Sequence, residues 1–123
     1  MGHRVDVICI IEGIIFLLEF KVGDKEYKKS TTDQVMDYAL DLKYFHDKSR
    51  TRYLVPINVS TKAVEIQNEY YCMSDNIHNT LFCNEENIGS TIRESISRIN
   101  DTPLSALEWI NSRYVPTPTI IEA

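Results

Sequence analysis

The fold is decided by residues 5–21, which read VDVICIIEGIIFLLEFK. Two apolar runs, residues 5–11 and 14–22, flank the dipeptide Glu12-Gly13. Both runs are apolar at odd and even positions alike, which is typical of strands buried on both faces of a sheet. A two-residue loop in which Gly supplies a positive φ is typical of a tight turn. We therefore predict a β-hairpin that lies within a sheet covered by helices.

The register of this hairpin predicts a polar cluster inside it. If residues 12 and 13 form the turn, the numbers of paired residues sum to 25, so Asp6 lies opposite Glu19 and Arg4 lies opposite Lys21. Directly opposed side chains have Cβ atoms about 5 Å apart on one face, and Lys21 shares the face of Glu19 because side chains alternate along a strand. Burial of two carboxylates and a lysine in an apolar hairpin is costly, which favours a functional role for them.

A helix and a further strand are predicted after the hairpin. Residues 23–31 form a polar loop, and a helix capped by Thr32 or Asp33 extends to about Phe45. Residues 52–59 favour the next strand, so the helix predicts a crossover to a parallel neighbour. Pro56 predicts that this strand is not deep within the ladder at that point, or that it carries a bulge there.

The second half of the chain carries weaker patterns. Residues 64–66 and 81–83 favour short strands, and Thr91 with Glu94 favours a capping box at the start of a helix that ends near Ile99. A further helix is predicted over residues 101–114, and residues 119–123 have the pattern of another helix that is just beginning. We therefore expect the chain to be an excerpt of a longer protein.

The composition is that of a globular protein whose acidity lies in one half. Of the 123 residues 43% are apolar, which is enough for one domain with its own core. Residues 1–62 carry ten Lys and Arg against nine Asp and Glu, a net +1, whereas residues 63–123 carry three against nine, a net −6. A surface that binds phosphates must therefore lie in the first half.

The cysteines and the apolar segments predict the compartment. Three cysteines without framework spacing indicate reduced thiols, and no segment has the pattern of a secretory signal or a membrane span. We therefore expect a cytoplasmic protein with no membrane partner.

Three groups of residues together match a known signature. They are Asp6, the tripeptide Glu19-Phe20-Lys21, and Gln34 with Tyr38 on the predicted helix. Their arrangement along the chain resembles the PD-(D/E)XK nuclease superfamily, and more narrowly its RecB-like branch, over roughly residues 2–60. The resemblance implies a restriction-endonuclease-like α/β (α+β) fold with a mixed central sheet and flanking helices. Only five residues precede Asp6, so this fold would lack the usual N-terminal helix and strand.

The resemblance also implies metal-dependent hydrolysis of nucleic-acid phosphodiester bonds. Asp6, Glu19 and the carbonyl of Phe20 would hold Mg²⁺ or Mn²⁺, which polarises the phosphoryl oxygen and lowers the pKa of an attacking water. Lys21 would stabilise charge that builds on the nucleophile or the phosphate. Gln34 and Tyr38 would orient that lysine or contact DNA. The lysines that would neutralise substrate phosphates are Lys25, Lys28 and Lys29.

The same resemblance predicts the domain organisation and the partners. A nuclease-like core covers residues 1–62, an acidic extension of the same domain covers 63–115, and a linker covers 116–123. The second half of the chain, including residues 114–123, resembles the link in bacterial proteins in which such a nuclease-like region precedes a helicase-type ATPase, so we expect such a downstream domain as a partner, besides DNA. An incomplete core would expose apolar hairpin surface, which favours a homodimer.

The same residues are also compatible with simpler roles. A Glu-x-Lys strand is commonly a salt-bridged pair, and lysines in a loop are commonly a solvated turn. The alternatives to an active nuclease are an inactive nuclease-fold module that docks DNA or an ATPase, and a purely structural oligomerisation domain. A zinc site formed by Cys72, His78 and Cys83 is disfavoured, because their spacing matches no closed site.

Overall fold

The computed structural model of this chain describes residues 5–45, 52–99 and 119–122. Within these ranges lie seven strands and two helices. In chain order they are β1 (Val7–Ile11), β2 (Ile14–Lys21), α1 (Lys29–Phe45), β3 (Leu54–Ser60), β4 (Cys72–Ser74), β5 (Ile77–His78), β6 (Leu81–Cys83), α2 (Ile88–Arg98) and β7 (Thr119–Glu122).

The hairpin forms with the predicted register. β1 and β2 are antiparallel, and Val7 pairs with Leu18, so paired residue numbers sum to 25 as expected. Glu12 and Gly13 have φ angles of 51° and 83°. Positive φ at both positions is what a type I′ turn requires, and this turn matches the twist of the two strands. The prediction of the hairpin is therefore confirmed.

The other strands build a mixed sheet around this hairpin. β3 pairs with β2 in parallel after the crossover through α1, which confirms the predicted parallel neighbour. β5 and β6 pair in parallel with the other edge of β3, β4 is antiparallel to β5, and β7 is parallel to β1. The strand order is β4-β5-β3-β2-β1-β7, with β6 beside β3. The predicted α+β class with a mixed sheet is confirmed.

Each face of the sheet has its own apolar core, and each core includes one helix. Side chains alternate along a strand, so the odd positions of β2 face α1 and its even positions face α2. The core on the α1 face consists of Val5, Ile8, Ile10, Ile15, Leu17, Val35, Tyr38, Ala39, Leu42 and Leu54. The core on the α2 face is formed around Ile14, Phe16, Leu18, Val55, Ile57, Val59, Leu81 and Cys83. The flanking helices are thus confirmed on both faces.

Pro56 lies in the middle of β3, where it pairs with Leu17 of β2. The prediction that the strand is not deep within the ladder at Pro56, or bulges there, is therefore wrong on the β2 side, where the register is continuous. On the other side, the N–H of Leu54 donates to the carbonyl of Asn76 at 3.0 Å. The nitrogen of Pro56 points to the same side as the N–H of Leu54. On that side it faces the gap between β5 and β6, which pair with β3 before and after Pro56. The missing donor thus falls where no ladder partner is needed.

Both predicted helix starts are wrong by four or five residues, for one reason. The hydroxyl of Thr32 donates to the carbonyl of Lys28 at 3.2 Å, and the hydroxyl of Thr91 donates to the carbonyl of Asn87 at 2.9 Å. These are bonds from a threonine to the residue four positions earlier, which occur within a helix rather than at its cap. α1 and α2 therefore begin at Lys29 and Ile88.

Two further predictions in the second half are wrong. Residues 64–66 form no strand, and the chain there is instead bound to β6 by side-chain hydrogen bonds of the nearby Asn68. Residues 119–122, predicted as the start of a helix, form β7, because the edge of β1 offers backbone partners to a segment rich in β-branched residues. The predicted strand at residues 81–83 is confirmed as β6. The helix predicted over residues 101–114 lies outside the described residues.

Neither helix in the described ranges combines the length and the apolar run that crossing a bilayer requires.

The turn offers a direct test of the hairpin. Glu12 is exposed and holds a positive φ, which Asn adopts more readily than Glu. We expect Glu12→Asn to raise the free energy of unfolding by about 0.5 kcal/mol, measured by urea denaturation. Glu86→Asn, an exposed change outside any turn of this kind, serves as the control. A loss of stability in Glu12→Asn would contradict the type I′ geometry.

Candidate active site

Glu19 is the centre of a polar cluster on the α1 face of the sheet. It lies near the end of β2, and its side chain is only 6% exposed. The amide Nε2 of Gln34 donates to Glu19 Oε2 at 3.1 Å, and Lys21 Nζ lies 3.5 Å from the same oxygen. The other oxygen, Oε1, is buried and has no hydrogen-bond partner among the described residues. Gln34 and Lys21 thus both contact Oε2, which fixes the direction of the carboxylate. Oε1 is left without a hydrogen-bond partner among these residues.

Asp6 lies immediately before β1, at the position that the hairpin register places opposite Glu19. Its Oδ2 accepts a hydrogen bond from the backbone N–H of Phe20 at 2.8 Å. Since the N–H and C=O of one strand residue point to the same side, the carbonyl of Phe20 also points to the side of β1. The structure therefore brings Asp6, Glu19 and the main chain of Phe20 to one end of the hairpin.

The electrostatics of the cluster oppose the ionised form of Glu19. Burial raises the pKa of Glu19 above its ordinary value of 4.5, and the nearby Asp6 carboxylate raises it further. Lys21, by its charge and by a hydrogen bond, and the backbone of Asp6, by a hydrogen bond, lower the pKa of Glu19 without cancelling the other two effects. An added cation next to Glu19 would relieve this cost, because an opposite charge favours the carboxylate form.

Tyr38 lies one helical turn after Gln34 on α1, and its side chain is fully buried. It packs among the apolar residues between α1 and the sheet, including Ile8 and Leu17. This packing fixes the distance of α1 from β2, and hence the distance of Gln34 from Glu19.

The predicted phosphate-binding lysines lie on the loop before α1 and in its first turn. Lys28 Nζ is 3.4 Å from Asp24, and Lys29 Nζ is 2.7 Å from Asp33, while Lys25 is exposed. The hydrogen bond to Asp33 raises the pKa of Lys29. Two of the three lysines thus form ion pairs with acidic neighbours at this surface.

Sequence reasoning missed two polar residues of β3 beneath the start of α1, Asn58 and Ser60. Asn58 is fully buried and is the register partner of Glu19 on β3, on the same face of the sheet. Ser60 donates to Asn58 Oδ1 at 2.7 Å, and Asn58 Nδ2 donates to the hydroxyl of Thr32 at 3.3 Å. A signal was present in β3, where alternate positions become polar at residues 58 and 60 of an otherwise apolar strand.

The cysteines do not form a metal centre with His78 in the described ranges. All three thiols are free, and burial raises the pKa of Cys83 to about 12, so its thiolate is strongly disfavoured. Across the described residues, no three His, Cys, Asp or Glu side chains come together as metal ligands. The pair Asp6 and Glu19 remains as the candidate cation site. Two carboxylates with main-chain oxygen and water match the ligands of Mg²⁺.

Comparisons of this chain with protein-family models, curated proteins and solved structures give no match.

The pKa of Glu19 predicts how stability depends on pH. Because folding raises this pKa, the stability gained by protonation is complete below about pH 4.5 and is lost as pH rises through the folded-state value. Glu19→Gln mimics the protonated form, so we expect it to be more stable than the wild type by roughly 1 kcal/mol at pH 7. The difference should vanish near pH 4 in urea unfolding.

Glu86→Gln is the matched control, because Glu86 is exposed on the chain before α2. A Glu19→Gln variant that is less stable than the wild type at pH 7 would show that the carboxylate is satisfied rather than strained.

Proposed function

We propose that this chain is a metal-dependent nuclease domain of the PD-(D/E)XK type, with a restriction-endonuclease-like core similar to the RecB-like branch. The observation that carries the proposal is the contact of Gln34 and Lys21 with one oxygen of Glu19, while the other oxygen is buried without a partner among the described residues. The hairpin, the crossover through α1 and the parallel strand β3 support it, because they bring the motif residues together in the expected order.

The residues present fit a divalent cation at this site. Asp6, Glu19 and the carbonyl of Phe20 would hold Mg²⁺ or Mn²⁺, and the raised pKa of Glu19 is the cost that such an ion relieves. When bound, the ion supplies a Lewis acid for the phosphoryl oxygen and lowers the pKa of the attacking water.

The side chains around the carboxylates have separate tasks in this proposal. Gln34 fixes the rotamer of Glu19 through the 3.1 Å hydrogen bond. Lys21 is 37% exposed, so its ammonium group can reach a phosphate at the surface while it stays near Glu19. A positive charge there stabilises the negative charge that develops on the phosphate during cleavage.

The proposed nucleic-acid surface is the loop before α1. Lys28 and Lys29 lie at the positive end of the dipole of α1, where cations are unfavourable unless an anion is near. Their partners Asp24 and Asp33 supply part of that compensation. A phosphate of a DNA strand would supply more compensation than these carboxylates do.

The remaining proposals concern partners and location. A downstream helicase-type ATPase domain and a cytoplasmic location stay predictions from the sequence. A homodimer also stays a prediction from the sequence, and in the structure β7 lies along the edge of β1.

Cleavage tests the proposal directly. The natural full-length protein should cleave DNA in the presence of Mg²⁺ or Mn²⁺ and not with EDTA. Glu19→Gln and Lys21→Met should each lower the rate by about 100-fold or more, because they remove a proposed metal ligand and a proposed phosphate contact. Arg93→Met, an exposed change on α2 across the sheet, and Glu86→Gln, an exposed loss of a carboxylate before α2, should cleave as the wild type does.

Two outcomes would overturn the proposal of an active nuclease. Full activity in folded Glu19→Gln and Lys21→Met would exclude these residues from catalysis. Metal-independent DNA binding without cleavage, unchanged in both variants, would favour the inactive docking module instead.

Salt dependence tests the lysine surface. Exchange of Lys25, Lys28 and Lys29 for Gln should weaken DNA binding and reduce the slope of log affinity against log salt, by about 0.9 for each lost phosphate contact. Binding is measured by fluorescence anisotropy in the Glu19→Gln background, which prevents cleavage. Arg93→Gln is the control for loss of a positive charge, and an equal slope in the triple variant and this control would exclude the loop as the DNA surface.

A further inference from the structure

A series of three hydrogen bonds, buried at β3 and exposed at its other end, links β3 to the start of α1. Ser60 donates to Asn58 Oδ1 at 2.7 Å, Asn58 Nδ2 donates to Thr32 Oγ1 at 3.3 Å, and Thr32 Oγ1 donates to the carbonyl of Lys28 at 3.2 Å. Asn58 and Ser60 are both completely buried. The Thr32 hydroxyl has a defined direction, since it accepts from Asn58 and donates to the carbonyl of Lys28, immediately before α1.

The position of Asn58 is unusual for a core residue. An apolar residue there would pack as its neighbours in β3 do, whereas a buried amide must be hydrogen-bonded to be tolerated. Asn58 lies directly beside Glu19 in the parallel register of β2 and β3. Its amide thus joins the strand next to the candidate metal ligand to the helix that carries Gln34.

The geometry of α1 shows what this link does. Gln34 follows Thr32 by two residues. The hydrogen bond to Thr32 therefore fixes the position of α1 along its axis and its rotation about that axis, at the point where Gln34 contacts Glu19. The loop before α1 is held separately, because the backbone N–H of Gly23 donates to the hydroxyl of Thr61 at 2.8 Å and the N–H of Lys62 donates to the carbonyl of Asp24 at 3.0 Å. The loop therefore has its own anchors, and the Asn58 link acts on the helix.

We propose that Asn58, through Thr32, is a positioning residue of the proposed metal site. It holds α1 so that Gln34 occupies Glu19 Oε2 and Oε1 is presented to the cation. The inference rests on the proposed function, because it assigns Asn58 a role in that same site. Hydrogen-bonded groups behind metal ligands commonly change metal affinity by about 10–100-fold when they are removed.

The test uses Thr32, because replacement of the fully buried Asn58 can disturb the core itself. Thr32→Val keeps the shape of the side chain and removes the hydroxyl, whereas Thr32→Ser keeps the hydroxyl. Thr91→Val is the matched control, since Thr91 makes the same bond to a carbonyl four residues earlier, but in α2 on the other face of the sheet. The readout is the Mg²⁺ concentration that gives half of the maximal rise in Tm, measured on the natural full-length protein.

The expected result separates positioning from general stability. Thr32→Val should need about 10-fold more Mg²⁺ than the wild type, while Thr32→Ser and Thr91→Val stay within about 2-fold of it. Three results would each overturn the role of Asn58 while leaving the metal site in place. They are a wild-type Mg²⁺ midpoint in folded Thr32→Val, an equal shift of the midpoint in Thr91→Val, and a midpoint in Thr32→Ser that shifts as far as in Thr32→Val. A wild-type protein whose Tm does not respond to Mg²⁺ would contradict the proposed metal site, and the role of Asn58 with it.

Discussion

The structure of the candidate site depends on the burial of one carboxylate. Glu19 lies in β2 with apolar residues on both sides along the strand, and α1 covers it. Its position follows from the two-residue turn at Glu12-Gly13, because a shift of the hairpin register by one residue would move its side chain to the α2 face. The turn thus determines whether Asp6, Glu19 and Lys21 share a face.

The groups around Glu19 fix the position of its carboxylate more than they compensate its negative charge. Lys21 and Gln34 contact a single oxygen, and both burial and Asp6 keep its pKa raised. A site built only for stability would have an apolar residue at this position. Sites that sacrifice stability in this way are typical of catalytic and binding centres, where the local strain is relieved by a ligand.

The hairpin and the parallel strand after α1 could be predicted from the sequence because they rest on local patterns, the apolar runs and the Glu12-Gly13 turn. The convergence of Asp6 and Glu19 followed from the same register. The helix starts could not be predicted, since Thr32 and Thr91 serve equally well as caps and as residues that bond back to the preceding turn. β7 and the link through Asn58 depend on contacts between distant segments, and no local pattern contains that information.

The position of a bound cation tests the central claim most directly. Crystals of the natural full-length protein grown with Mn²⁺ would be measured at the manganese absorption edge, where the ion gives an anomalous difference peak. We expect one peak between the carboxylates of Asp6 and Glu19, within bonding distance of Glu19 Oε1 and of the carbonyl of Phe20. Crystals with ordered Mn²⁺ elsewhere, and with these oxygens unligated at a saturating concentration of the ion, would contradict the account.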